Sequence, residues 1–202
     1  MASRAVHRER FERWHARLPS RSAQMVARVR SVLIPSLERH GYFWFDDYAG
    51  GRAGNVGGNE IPLQKRSGDE WPTVHIRFDL QGRPFFHIFF AALPVVCRTN
   101  FAQDEVPRSE AMIIDAPGLF SLRRGNGAAD DGRFGYVWAS LWPARKIESE
   151  VNAAVKCLPF VFDLLSVGVP REWLERKPGR VDAHAALHSS WYCDRQRQMK
   201  TS

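Results

Sequence analysis

The stretch from Thr73 to Phe90 limits what this chain can fold into more than any other. Apolar and polar residues alternate through much of it on both sides of Asp79-Leu80-Gln81-Gly82, the period-two pattern of strands whose two faces meet different surroundings. Asp at the first and Gly at the fourth turn position suit a type I turn closed by a glycine bulge. The predicted hairpin pairs Phe78 with Pro84, Ile76 with Phe86 and Val74 with Ile88. One face then gathers Val74, Ile76, Phe78, Phe86, Ile88 and Phe90, the expected core side. The other, expected to be the polar side, gathers Thr73, His75, Arg77, Phe85, His87 and Phe89. A slip of one residue would carry His87 into the apolar layer and expose Ile88, so burial favours the chosen facing.

Helical periods flank this hairpin. His7, Phe11, Trp14 and Leu18 share one face of a first helix that is expected to end near Pro19. A second helix, with Ser20 or Ser22 as N-cap, carries Val26, Val29, Leu33 and Leu37 on one stripe and stops at Gly41. Pro35 inside it removes a backbone hydrogen bond and is expected to kink or divide it. Near the other end, Pro143 opens a long helix with Ile147, Val151, Val155, Leu158, Phe162 and Leu165 on one stripe, a kink expected at Pro159 and an end at Gly168 and Pro170.

Between the helices, strands are predicted at Tyr42 to Tyr48 and Ile61 to Arg66, with a glycine-rich loop from Gly50 to Asn59 joining them. A second hairpin is predicted from Gly118 to Arg124 and Arg133 to Ser140, while Cys97 to Pro117 fits no one element. The fold class is therefore α+β, with a central antiparallel meander sheet packed against N-terminal helices and a long C-terminal helix. A hydrophobic content of 44% supports one real core, in a single domain at 1–180 followed by a basic tail at 181–202.

The net charge of +7 is unevenly placed. Residues 1–40 hold nine Arg against three Glu, residues 41–169 hold thirteen basic against fifteen acidic groups, and residues 170–202 hold seven against four. Attraction to an anionic partner should act through the terminal segments. Cys97, Cys157 and Cys193 form no CxxC pair and are odd in number, which argues against a disulfide framework and for a reducing cytoplasmic compartment. No apolar leader opens the chain and no stretch is long enough to span a bilayer, so no membrane association is expected.

Candidate binding residues fall in two groups. In the predicted register His75 and His87 are direct cross-strand neighbours, flanked by Arg77 and by Arg66 of the preceding strand, a set able to grip an anion or a partner's carboxylate or simply to cover a sheet face. Arg10, Arg13, Arg17 and Arg21 recur at helical spacing beside the apolar stripe of helix one. Such a row tracks phosphates or an acidic protein surface, or only solvates a helix edge. Catalytic signatures do not assemble. The Gly50 to Gly58 run lacks GxxxxGK or GxGxxG spacing and a following helix, and His184 with His188 lacks the zincin glutamate. Cys97 has no paired histidine motif, and the acidic pairs Asp46-Asp47, Asp104-Glu105 and Asp130-Asp131 fall in turns or at strand ends. No metal and no cofactor are expected.

The run Leu33-Ile34-Pro35-Ser36-Leu37-Glu38-Arg39-His40-Gly41-Tyr42-Phe43-Trp44, followed by Ile61 to Arg66, Trp71 and the Thr73 to Asp79 strand, resembles bacterial α+β domain families in which a helix ends at Gly-aromatic and feeds a meander sheet closed by a long helix. Some of these resemble immunity proteins encoded beside toxins. The resemblance implies a non-catalytic, cytoplasmic protein-binding module, immunity or antitoxin-like. The alternative is a nucleic-acid-binding accessory protein that uses the basic ends, and an enzyme with an unrecognised site comes third. Thiol titration of the denatured, unreduced protein should find all three cysteines free; a disulfide between any two would contradict the compartment argument.

Overall fold

The computed structural model describes residues 6–49, 58–69, 71–99, 104–116, 119–122, 133–135, 143–167 and 181–182. The glycine-rich run at 50–57, the acidic pair Asp130-Asp131, and His184, His188 and Cys193 lie outside them. The described chain builds α1 (Val6–His15), α2 (Ser20–Arg28), a π-helical stretch (Val29–Leu33), α3 (Ile34–Glu38), β1 (Phe43–Trp44), β2 (Glu60–Gln64), β3 (Trp71–Phe78) and β4 (Phe85–Leu93). It continues through β5 (Val96–Arg98), β6 (Glu105–Pro107), a 3-10 turn (Ile113–Asp115), β7 (Leu119–Leu122), β8 (Arg133–Gly135), α4 (Pro143–Val167) and β9 (Val181–Asp182). The architecture is α+β, with β1 to β4 forming an antiparallel meander.

Strands β3 and β4 pair Phe78 with Phe86, Ile76 with Ile88 and Val74 with Phe90, two residues beyond the expected register. Pro84 has no N–H to give a ladder. Asp79 also draws the backbone N–H and the guanidinium of Arg83 onto its carboxylate at 2.8 to 3.1 Å, which lengthens the turn. The Asp-to-Gly turn itself forms, with the Gly82 N–H donating to the Asp79 carbonyl at 3.1 Å and Gly82 at φ 72°. A shift of two leaves each side chain on its own face, so Val74, Ile76, Phe78, Phe86, Ile88 and Phe90 are buried as expected. It does change partners. His75 stands opposite Phe89 and Arg77 opposite His87, so the two histidines are diagonal rather than direct neighbours.

The core face is covered by the helices. Met25, Val26, Val29, Leu33 and Leu37 join Phe11, Ile147, Val151, Ala154, Leu158 and Leu165 in one cluster with the hairpin's apolar residues; each fully buried side chain of this size contributes about 1.5 to 3 kcal/mol. Helix α1 ends at His15, earlier than expected. No serine caps α2, whose preceding residue is Pro19; the Ser22 hydroxyl donates instead to the Gly82 carbonyl and clamps the β3–β4 turn to the α1–α2 corner. With α2 and α3 joined by the π-helical stretch, the second helix is divided rather than stopped at Pro35. The turn before it widens, with the Ile34 N–H reaching back five residues to Val29, a π-helical device that relieves the crowding a proline ring imposes on the preceding turn. The helix closes on Gly41 at φ 85°, where the Tyr42 N–H bonds to Leu37 and the Gly41 N–H to Glu38, the Schellman pattern. Helix α4 runs on through Pro159.

The second face of the hairpin is not the polar surface expected. Thr73 and His75 are completely buried and Phe85 nearly so, and the described residues at 94–99 and 104–116 pack on the β4 end of this face. Ala91 and Leu93 there meet Cys97 and Val106 of the β5–β6 pair and Ala111, Ile113 and Ala116 around the 3-10 turn, with Phe89 against them.

The predicted second hairpin is also replaced. Strand β7 pairs with Phe89–Ala91 and β8 with Phe85–His87, so both lie end to end along one edge of β4. Ser121 stands opposite Phe89 and Arg133 opposite His87, where an unbroken strand would place residue 123, so the two strands continue one line of pairing without being continuous in sequence. Strand β9 pairs its Val181–Asp182 with β7, so the segment taken as a tail begins with a strand.

Glu150 of α4, fully buried, pins this edge by accepting the Gly135 N–H at 3.2 Å while Lys146 approaches it at 3.1 Å. Gly135 itself sits at φ 142°, and a Cβ there would lie 2.3 Å from the Pro84 carbonyl and 2.5 Å from Phe85 Cα. Gly135→Ala should therefore cost about 2 to 3 kcal/mol in urea unfolding through overpacking and backbone strain. Gly68→Ala, at φ 54° with nothing within 4 Å, should cost only the backbone penalty of about 1 to 2 kcal/mol. Equal losses would remove Gly135 as a packing constraint.

Candidate functional site

On the second face the register aligns Glu60, Arg77, His87 and Arg133 in one row across β2, β3, β4 and β8. The neighbouring row runs Pro62, His75, Phe89 and Ser121. At one end the row is sealed. Glu60 is fully buried, and its carboxylate accepts the Tyr48 hydroxyl at 3.0 Å on Oε1 and the Arg77 guanidinium at 3.4 and 3.3 Å on Oε2. His75 Nδ1 stands 3.5 Å from Oε2 and His7 Nε2 3.8 Å from Oε1. Neither approach is a formed hydrogen bond, and both ring nitrogens of each imidazole are buried without such a partner.

Burial alone would raise the Glu60 carboxyl, but the His75 imidazole, the Arg77 guanidinium and His7 outweigh it and hold it down at about 2. Burial also pushes the Tyr48 phenol well above its ordinary range, helped by the Glu60 charge. His7 is lowered from 6.5 to about 4, chiefly by desolvation, against the attraction of Glu60. The two imidazoles approach different oxygens of Glu60, with the Tyr48 ring edge-on to each at 5.0 Å. Among the described residues no group of three or more His, Cys, Asp or Glu side chains could hold a metal ion.

The open end of the row is a stack of guanidiniums and rings. Arg77, about one third exposed, lies 5.4 Å over Phe89, and His87 stacks on the same ring at 5.8 Å. Phe85 meets His87 edge-on and is covered by Arg83 at 5.0 Å and Arg133 at 5.1 Å. Arg77 and Arg83 are neutralised from below by Glu60 and Asp79.

The sequence-derived candidates therefore separate. Arg77 and His87 do come together on an accessible face, but His75 is sealed beneath it. Arg66 is exposed elsewhere, 5.4 Å over Trp71, whose other guanidinium neighbour is the buried Arg108 at 4.0 Å. Arg10 is half-buried in α1, Arg13 is exposed there, Arg17 lies in the turn after it and Arg21 in α2, so the four do not share one helix. Cys97 is buried, its thiol pushed up to about 11 by desolvation and by Asp115, consistent with an inert thiol. Sequence reading missed Glu60 and Tyr48. Extending the β2 alternation back by one residue would have set Glu60, with Pro62 and Gln64, on the His75 and Arg77 face.

No family model, no curated protein and no solved structure matches this chain.

The sealed cluster makes stability depend on pH. His7 takes its proton at 6.5 when unfolded and only near 4 when folded, so its contribution is complete above pH 6.5 and is lost as pH falls toward 4, by about 3 kcal/mol at most. Glu60, lowered instead, stabilises above its ordinary 4.5 and loses that contribution as pH falls through about 2. Urea unfolding from about pH 7 to about pH 4 should show a decline that His7→Gln largely flattens; an unchanged slope in the variant would place the effect elsewhere.

Proposed function

We propose that this protein is a non-catalytic protein-binding module whose docking face is the Arg77, His87 and Phe89 surface with Arg83 at its rim. The observation that carries this reading is the preorganised Arg77: two of its nitrogens are tied to a buried carboxylate and its guanidinium lies 5.4 Å over Phe89, yet it stays about one third exposed. An arginine already immobilised loses little further entropy on association, and arginine with aromatic rings is the composition of interface hot spots. The groups suited to acid–base work, Glu60, His75 and His7, are sealed, whereas a general base must come within hydrogen-bond reach of its substrate.

A protein partner suits this face better than nucleic acid. Arg77 and Arg83 already carry their own carboxylates, which leaves ring faces and spare N–H donors rather than uncompensated charge. The partner would present a carboxylate beside an apolar anchor, and a toxin neutralised by an immunity-type module is the form that the resemblance implies.

The test starts with a protein retained by the wild type from a lysate of its source, then purified and titrated calorimetrically. Arg77→Ala and, separately, His87→Ala should each weaken the purified complex, Arg77→Ala by about thirtyfold or more as a hot spot does. Because Arg77→Ala leaves Glu60 buried without its guanidinium, thermal unfolding of that variant is measured alongside, and His87→Ala serves as the variant that leaves Glu60 paired. If neither substitution changes the affinity, the face is not the docking site.

A further inference from the structure

Among the described arginines, the side chains of Arg13, Arg17 and Arg21 alone make no ion pair, hydrogen bond or ring contact. The contrast with their neighbours is specific. Arg8 pairs with Asp46, Arg28 with Glu148, Arg30 with Glu12 and Arg83 with Asp79. Glu12, next to Arg13 in the chain, is engaged by Arg30 and His15, and Glu9, one turn before Arg13, forms no ion pair. All three guanidiniums are exposed.

Their backbone is held fixed. Leu18 and Pro19 between Arg17 and Arg21 pack against Gly82, where an added Cβ would lie 3.2 Å from Pro19 and 3.5 Å from Leu18, and the Ser22 hydroxyl bonds to the Gly82 carbonyl. The same turn carries Leu80, 66% exposed. The corner is therefore a rigid ridge of uncompensated positive charge in the most basic part of the chain.

We infer that this ridge binds the phosphate backbone of a nucleic acid, a second surface independent of the docking face proposed above. A guanidinium offers paired N–H donors that fit phosphate oxygens, and its charge is most effective where no carboxylate of the same chain competes. Uncompensated cations are what counterion release requires, because only they displace ions condensed on the polymer. An acidic protein surface is the less favoured occupant, since Leu80 is the one large exposed apolar group described on this corner and protein interfaces rest on buried apolar anchors.

Fluorescence anisotropy with labelled single-stranded and duplex DNA of about 20 nucleotides, titrated between about 50 and about 200 mM salt, tests this. The full chain should bind, and Arg13→Gln/Arg17→Gln/Arg21→Gln should bind about tenfold or more weakly, with a log–log salt slope shallower by about 2 to 3. Those side chains make no contacts, so the variant's thermal unfolding should match the wild type. Lys156→Gln, an exposed cation on α4, should leave affinity unchanged. Absence of binding by the wild type, or equal affinity and slope in the triple variant, would overturn the inference. So would poly-glutamate binding as tightly as DNA with the same loss in the triple variant, which would assign the ridge to an acidic protein.

Discussion

The β3–β4 ladder is the constraint from which the rest of this structure follows. Its register runs unbroken from Trp71 opposite Leu93 to Phe78 opposite Phe86, and its two faces are both buried along most of that length. A half-exposed sheet needs one apolar face; this one needs two covers. The helices supply the first, and the described residues at 94–99 and 104–116 cover the β4 end of the second. Strand β4 then has one edge left, which β7 and β8 share in turn.

Burial on both faces forces polar groups indoors, and the fold uses them as pins. Glu60 gathers Tyr48 from the loop after β1, Arg77 from β3 and His7 from α1. Glu150 ties α4 to the end of β8. Buried charges of this kind contribute little net stability, yet removing one partner is strongly destabilising. Their effect is to fix relative positions: α1 is held against the sheet end by His7 on one layer and by Phe11 on the other, where Phe11 meets Trp44 and Phe78.

The same pairing logic sorts the surface. Arg77 and Arg83 are held by their carboxylates and sit over phenyl rings. Arg13, Arg17 and Arg21 keep their whole charge. One chain thus carries two arginine surfaces of different character, the first suited to a partly apolar partner with little salt dependence and the second to a polyanion with steep salt dependence.

Much of the fold was legible in local pattern. The faces of β3 and β4, the stripes of the second helix and of α4, the Asp79 to Gly82 turn and the Gly41 stop all rest on periodicities or φ requirements that a few adjacent residues determine. A two-residue register shift escaped because the facing it preserves is all that the alternation encodes; the missing N–H of Pro84 was the available clue. The candidate site was legible only in part. Arg77 and His87 were visible as polar positions on one face, but how much of that face met solvent depended on what the stretch after Cys97, which fits no one element in sequence, packs against. Tertiary structure alone decided that His75 is sealed, that Glu60 lies beneath Arg77, and which arginines are neutralised. Ion pairing is set by distance in space, and partners such as Arg28 and Glu148, 120 residues apart in the chain, are brought together only by the packing of α2 on α4.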